Sequence, residues 1–119
     1  MKASVLSVGA LVLAGALNAG QCGYEQCWGA VGIGPGGAYG WAHSHASEGA
    51  AYNAAQRGCR GNCDQIRTFY NTCGAIARAS NGGWGWGWAS SRQAAENTAL
   101  GYCREYGANC RVAVWACSP

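Results

Sequence analysis

The chain has 119 residues, a formal charge of +3, eight cysteines, twenty glycines and six tryptophans. Its one lysine is Lys2, and the other positive charges are seven arginines scattered without a run or a basic helix, which is not the footprint of a nucleic-acid binder. About 100 residues beyond the N-terminal segment suffice for one small domain but not for two.

Met1-Lys2 supplies a short positive start, Val5 to Leu17 is an uncharged apolar run, and Leu17-Asn18-Ala19-Gly20 offers small residues to a signal peptidase. At roughly 1.5 Å per residue that run spans about 20 Å, short of the roughly 30 Å of a bilayer core. Residues 1–20 are therefore expected to be a cleaved secretory signal peptide, with the mature chain starting near Ala19 to Gln21 and no stable membrane anchor left. A retained anchor and lipid attachment at Cys22 are the rival readings, and Gln21 stands where lipid attachment needs a small residue.

Residues 21–119 then form a single secreted domain that repeats itself, about 28–73 and about 74–117. Gly29-Ala30-Val31 matches Gly74-Ala75-Ile76, Gly40-Trp41 matches Gly85-Trp86, and Ala50-Ala51 matches Ala94-Ala95. Cys59-Arg60 matches Cys103-Arg104, Asn62-Cys63 matches Asn109-Cys110, and Cys73 matches Cys117 at the end of a unit. The first unit predicts strands near Trp28 to Ile33 and Tyr39 to His43 around a turn at Gly34-Pro35-Gly36-Gly37, a helix near Ser47 to Arg57, and a strand from Gln65 to Tyr70. In the second, Ala75 to Ala79 is an alternating strand and Ser80-Asn81-Gly82 turns the chain into Gly83-Trp84-Gly85-Trp86-Gly87-Trp88. Ser90-Ser91-Arg92-Gln93 has the spacing of a capping box, opening an Ala-rich helix through about Arg104. Gly107-Ala108-Asn109 ends it, and Arg111 to Ala116 is a last strand. The fold class is α+β: two pseudo-symmetric strand-strand-helix-strand repeats forming one disulfide-stapled domain.

All eight cysteines lie beyond the apolar run, an even count that reads as a disulfide framework in an oxidising compartment. Zinc is the rival, but no Cys-x-x-Cys pair occurs and the histidines are distant in sequence. Cys59 and Cys103 end helices on the apolar face while Cys63 and Cys110 begin the strands that follow, so short loops make Cys59–Cys63 and Cys103–Cys110 natural staples. Cys73 and Cys117 hold equivalent positions that an approximate twofold would bring together, leaving Cys22 with Cys27. Eight cysteines allow 105 pairings, and this is one of them.

Large aliphatic residues are few, so the core must draw on Trp, Tyr, Ala and Cys. Ala94, Ala95, Thr98, Ala99 and Tyr102 trace a nearly flat helical stripe, as do Ala50, Ala51, Ala54 and Ala55. The expected packing sets these flat stripes against the indoles of the strands, with the rings filling the gap. The alternative is an exposed aromatic platform, since indole faces stack on sugars. Buried indole N–H groups need partners, so a partly buried row is expected, open at its Trp88 and His43 end. Gly83, Gly85 and Gly87 leave one strand face bare, which marks close packing within the domain or, second, an edge open to a partner strand.

His43 and His45 could hold Zn or Cu but lack a third ligand, Glu48 being the nearest acid; a surface pair is the expected reading, with no metal or other cofactor. Ser44, His45 and Glu48 contain the atoms of a triad, but crowding along five residues rarely gives its geometry. No Gly-x-Ser-x-Gly or His-Glu-x-x-His occurs, and no catalytic residue is assigned.

Trp28-Gly29-Ala30, Gly40-Trp41-Ala42, the Ala-rich helix ending in Cys59 with Cys63 after it, Gly85-Trp86-Gly87, and the second helix ending at Cys103 with Cys110 and Val114-Trp115 resemble the bacterial family called domain of unknown function 4189. The resemblance covers about Trp28 to Cys117, with Cys22 and Cys27 ahead of it. Members of that family are typically exported, cysteine-bearing and without an assigned reaction, so the resemblance implies compartment and fold and transfers no catalytic residue. The function expected is a secreted, non-catalytic, disulfide-rich binding domain acting in the envelope or extracellular space on a protein or cell-envelope component, through Trp41, His43, Trp86 and Trp88. An inhibitor of a secreted or periplasmic hydrolase and a small glycan-binding module using the Trp row are the alternatives.

Overall fold

Residues 20–119 are described by the computed structural model, and the proposed signal peptide, residues 1–19 of it, lies outside them. Six strands and two helices follow in the order β1 (Trp28–Ile33), β2 (Tyr39–His45), α1 (Glu48–Gly58), β3 (Gln65–Tyr70), β4 (Thr72–Arg78), β5 (Trp84–Ala89), α2 (Arg92–Arg104) and β6 (Arg111–Ser118). The strand-strand-helix-strand order thus occurs twice. Each half makes its own antiparallel sheet, ordered β2-β1-β3 and β5-β4-β6, with the first strand of the half in the middle. One residue, Asn71 at φ 55°, separates β3 from β4 and carries the chain from one sheet to the other.

Strand alternation divides each sheet into a helix face and a sheet face. On the first sheet Ala30 and Ala42 pack against Ala51 and Ala55 of α1. On the second, Ala75 and Ala77 pack against Ala95, Ala99 and Cys103 of α2. The opposite faces meet: Val31, Ile33 and Phe69 interleave with Ile76, Val114 and Ala116. The layers run helix, sheet, sheet, helix, with the buried large apolar side chains in the middle and Ile66 and Leu100, partly buried, at the helix layers.

The indole row does not face the helix, contrary to the packing expected from the flat Ala stripes. Trp84 and Trp86 pack on the inter-sheet core, and it is Gly85 and Gly87 that lie under α2. A methyl group on Gly85 would sit 2.3 Å from the Cys103 backbone nitrogen and 2.6 Å from the Ala99 carbonyl oxygen. On Gly40 of β2 it would sit 2.0 Å from the Ala55 carbonyl oxygen of α1. The helices therefore rest backbone to backbone on the strands, and a ring cannot fit between them.

Both helices start with a serine cap: Ser47 Oγ accepts from Ala50 N and Ser91 Oγ from Ala94 N, each at 3.2 Å. The second cap is one residue later than the Ser90–Gln93 box predicts, because Ser91 is the last extended residue, at φ −130°. Cys59 and Cys103 close the helices and are bridged to Cys63 and Cys110, and Cys22 is bridged to Cys27. Cys73 pairs with Cys117 as expected, but through a different geometry: the two stand directly opposite on neighbouring strands β4 and β6 of one sheet. The corresponding rung of the first sheet, Trp28 opposite Tyr70, is an aromatic pair with ring centroids 4.9 Å apart. By loop length alone, the Cys73–Cys117 bridge limits the unfolded chain by about 4 kcal/mol and Cys59–Cys63 by about 2 kcal/mol.

The N-terminal loop is held by Asn71, whose Oδ1 accepts from Cys27 N at 2.8 Å and whose Nδ2 donates to Glu25 O at 3.0 Å. Across the sheets, Ser44 N donates to the buried Ser118 Oγ at 2.9 Å, and Arg78 donates to the Gly34 carbonyl.

Backbone-on-backbone contact makes the glycine positions unequal. Gly85→Ala is expected to lose about 1–3 kcal/mol in urea unfolding, since the new methyl meets helix backbone that cannot yield locally. Gly101→Ala, in the same helix with nothing within 4 Å of the new methyl, is expected to gain about 0.5–1 kcal/mol. Equal effects at the two positions would contradict the close approach.

Candidate functional site

β5 is an edge strand, and α2 lies over it. Trp84, Trp86 and Trp88 project from its sheet face, the first two half-buried and Trp88 61% exposed. Trp84 is held by the Arg67 guanidinium of β3, 4.9 Å from the ring centroid. Trp86 and Trp88 stand 5.0 Å apart with planes inclined by 40°. From the helix side Tyr102 and, just past the helix end, Tyr106 add two more rings, 52% and 66% exposed. Between these walls is an open cleft of about 1090 Å³ floored by Gly83, Gly85 and Gly87, with Thr98 at its side. No charged side chain lines it.

The four residues expected to bind do not form one site. Trp86 and Trp88 belong to the β5 edge, where they also border a second groove of about 560 Å³ against Trp28, Thr68 and Tyr70. Trp41 and His43 project from β2 at the other edge of the sandwich, over Ala113, Val114 and Trp115 of β6, in a separate groove of about 560 Å³. Trp41 is 52% exposed, and its ring lies parallel to that of His43, at 4° and 5.8 Å between centroids. The His43 ring is further held by a 2.9 Å hydrogen bond between its Nδ1 and Ser44 Oγ.

The corresponding cleft of the first half, between β2 and the end of α1, is about 550 Å³ and has Gly58 and Asn62 among its walls. Aligned on the matched helix-ending cysteines, Gly58 stands where the second half has Tyr102. The larger cleft is thus a feature of the second half alone. Tyr102 and Tyr106 were missed by the sequence reading, which placed Tyr102 in the flat stripe under the strand; the signal that finds it is this Gly58–Tyr102 mismatch.

The remaining polar candidates are engaged elsewhere. Glu48 accepts a hydrogen bond from Thr68 Oγ1, and Ser44 is bonded to His43, so Ser44, His45 and Glu48 are not assembled into a relay. Among the described residues no group of three His, Cys, Asp or Glu is placed to hold a metal ion, and every cysteine is in a disulfide. Among them, too, no helix is long and apolar enough to cross a membrane.

A family model described as a domain of unknown function, DUF4189, matches residues 28–117. A solved structure, the NMR structure of Rv1813c from Mycobacterium tuberculosis, is similar at 29% sequence identity with a TM-score of 0.61, over 77% of this chain and 75% of that one. No curated protein matches the chain.

The unequal exposure of the tryptophans predicts the order of chemical modification. Oxidation by limiting N-bromosuccinimide, followed by peptide mass spectrometry, is expected to reach Trp88 and Trp41 before Trp84 and Trp86. Simultaneous loss of all four would contradict the burial described.

Proposed function

The chain belongs to the DUF4189 family, whose description assigns no activity, and we propose that it is a secreted, non-catalytic binding domain that holds a macromolecular partner at the β5 edge. The observation that carries this reading is the cleft of about 1090 Å³ itself, with Trp88, Tyr102 and Tyr106 exposed around it. Exposed aromatic rings on a rigid support are the side chains that dominate binding energy at protein interfaces, because they present large apolar area for few rotatable bonds. The support here is rigid: β5 is hydrogen-bonded to β4 in unbroken register, and α2 is bridged by Cys103–Cys110, just beyond Tyr102, to the loop that leads into β6.

Secretion is supported by the charged start and apolar run of residues 1–20 and by four disulfides, which form in oxidising compartments. The glycan reading would use the same exposed rings, Trp86 and Trp88 standing 5.0 Å apart with planes inclined by 40°. The inhibitor reading differs only in making the partner a hydrolase, which the following experiment would reveal.

A photo-cross-linking benzoylphenylalanine placed at Tyr106 in the disulfide-bonded protein, irradiated in the extracellular or periplasmic fraction of the native host, is expected to give discrete protein or glycopolymer adducts. Trp88→Ala in the same background is expected to reduce them at least about tenfold, as loss of an aromatic hot spot does. Adducts indifferent to Trp88, or none, would contradict the binding reading.

A further inference from the structure

Each sheet has two outer strands, and β5 differs from the other three. β2 sits against a register shift in its pairing with β1, β6 against one in its pairing with β4, and β3 carries Arg67. Irregularities and charges of this kind are how proteins blunt open edges. β5 has neither: it pairs with β4 in unbroken register from Trp84 to Ala89 and contains no charge and no proline. A flat, apolar, regular edge of this type is a template for another strand.

The exposed backbone groups can be assigned. Ala79 N donates to Gly83 O at 2.7 Å, so Gly83 is bonded to β4's side of the hairpin. Antiparallel pairing alternates, so Gly85 and Gly87 also turn their N–H and C=O groups toward β4, and those of Trp84, Trp86 and Trp88 turn outward. Among the described residues no side chain or loop carbonyl bonds to these outward groups.

We infer that β5 accepts an extended, uncharged polypeptide segment of a partner protein as a fourth strand of the second sheet, bonded to the outward backbone groups of Trp84, Trp86 and Trp88. The inference rests on the binding-domain reading and specifies its mode. Apolar side chains on alternate residues of the incoming strand would enter the cleft beside Tyr102 and Tyr106, which no charged group lines. A second copy of this chain does not fit. Antiparallel edge pairing through a twofold would set two α2 helices on one sheet face, each lying over its own β5. Those strands would be about 4.8 Å apart, whereas packed helices need about 8–10 Å. A second β5 would also bring only Gly85, Gly87 and Ala89 to the helix side and leave the cleft largely empty.

The test uses the disulfide-bonded secreted protein, labelled with nitrogen-15, and two probes: a terminally blocked hexapeptide of alternating valine and threonine, and the same peptide N-methylated at every residue, which removes the donors of both its edges. At millimolar concentration the first peptide is expected to slow amide hydrogen exchange at Trp84, Trp86 and Trp88 at least tenfold while leaving Gly85 and Gly87 unchanged, and the methylated analogue is expected to leave all five unchanged. Unchanged exchange at the three tryptophans, or equal effects from both peptides, would overturn strand addition. Trp88-dependent cross-linking together with unchanged exchange would overturn strand addition alone; absence of Trp88-dependent cross-linking would overturn the binding reading itself.

Discussion

Contact between helix backbone and strand glycine is the constraint on which the rest of this structure depends. α1 and α2 lie so close to β2 and β5 that Gly40 and Gly85 have no room for a Cβ. Strand alternation then forces the neighbouring residues, Trp41 on one strand and Trp84 and Trp86 on the other, onto the opposite face. The glycines lower backbone stability in themselves, and the close packing they permit offsets that cost. Alanine stripes on both helices serve the same end, since a larger residue at Ala55 or Ala99 would lift the helix from its strand.

A domain built this way has little apolar volume to work with. Its largest buried apolar side chains, Val31, Ile33, Phe69, Ile76 and Val114, gather in the layer between the sheets. The bridges compensate, and their sulfurs are themselves part of the interior: Cys73 and Cys103 belong to the cluster under α2. Cys59–Cys63 and Cys103–Cys110 fasten the helix ends to the following strands, and Cys73–Cys117 closes the longest loop. Where the first sheet has an aromatic pair, Trp28 and Tyr70, the second has that last disulfide, so one rung is secured by two different chemistries. Asn71 joins the two sheets and pins the N-terminal loop at once, which is why an asparagine occupies a left-handed turn there.

Much of this was legible in the chain. The strands, both helices and the Cys59–Cys63 and Cys103–Cys110 pairings follow from alternation, Ala periodicity and loop length, signals that are local in sequence, while Cys73–Cys117 follows from the repeat and Cys22–Cys27 from what remains. What was not legible is which layer each strand face meets. Alternation shows that Trp84, Trp86 and Trp88 share a face, but a flat helix is equally compatible with a ring or with a glycine against it. Only the second sheet, a non-local partner, decides. The same ambiguity placed Tyr102 under the strand, when its Cα lies at the border of the stripe and its ring turns out toward the cleft. It also grouped Trp41 and His43 with Trp86 and Trp88, although equivalent positions of two halves facing each other lie at opposite edges of the sandwich.

The aromatic edge is thus a consequence of the helix contact: rings excluded from the helix interface emerge between the sheets and run out into solvent at Trp88. Proton NOE spectroscopy of the folded protein tests this most directly. The account predicts cross-peaks from Gly85 Hα to the Cys103 amide proton and from the Trp84 and Trp86 indoles to Ile33 and Phe69. Indole cross-peaks to the methyl groups of Ala95 and Ala99 in their place would contradict it.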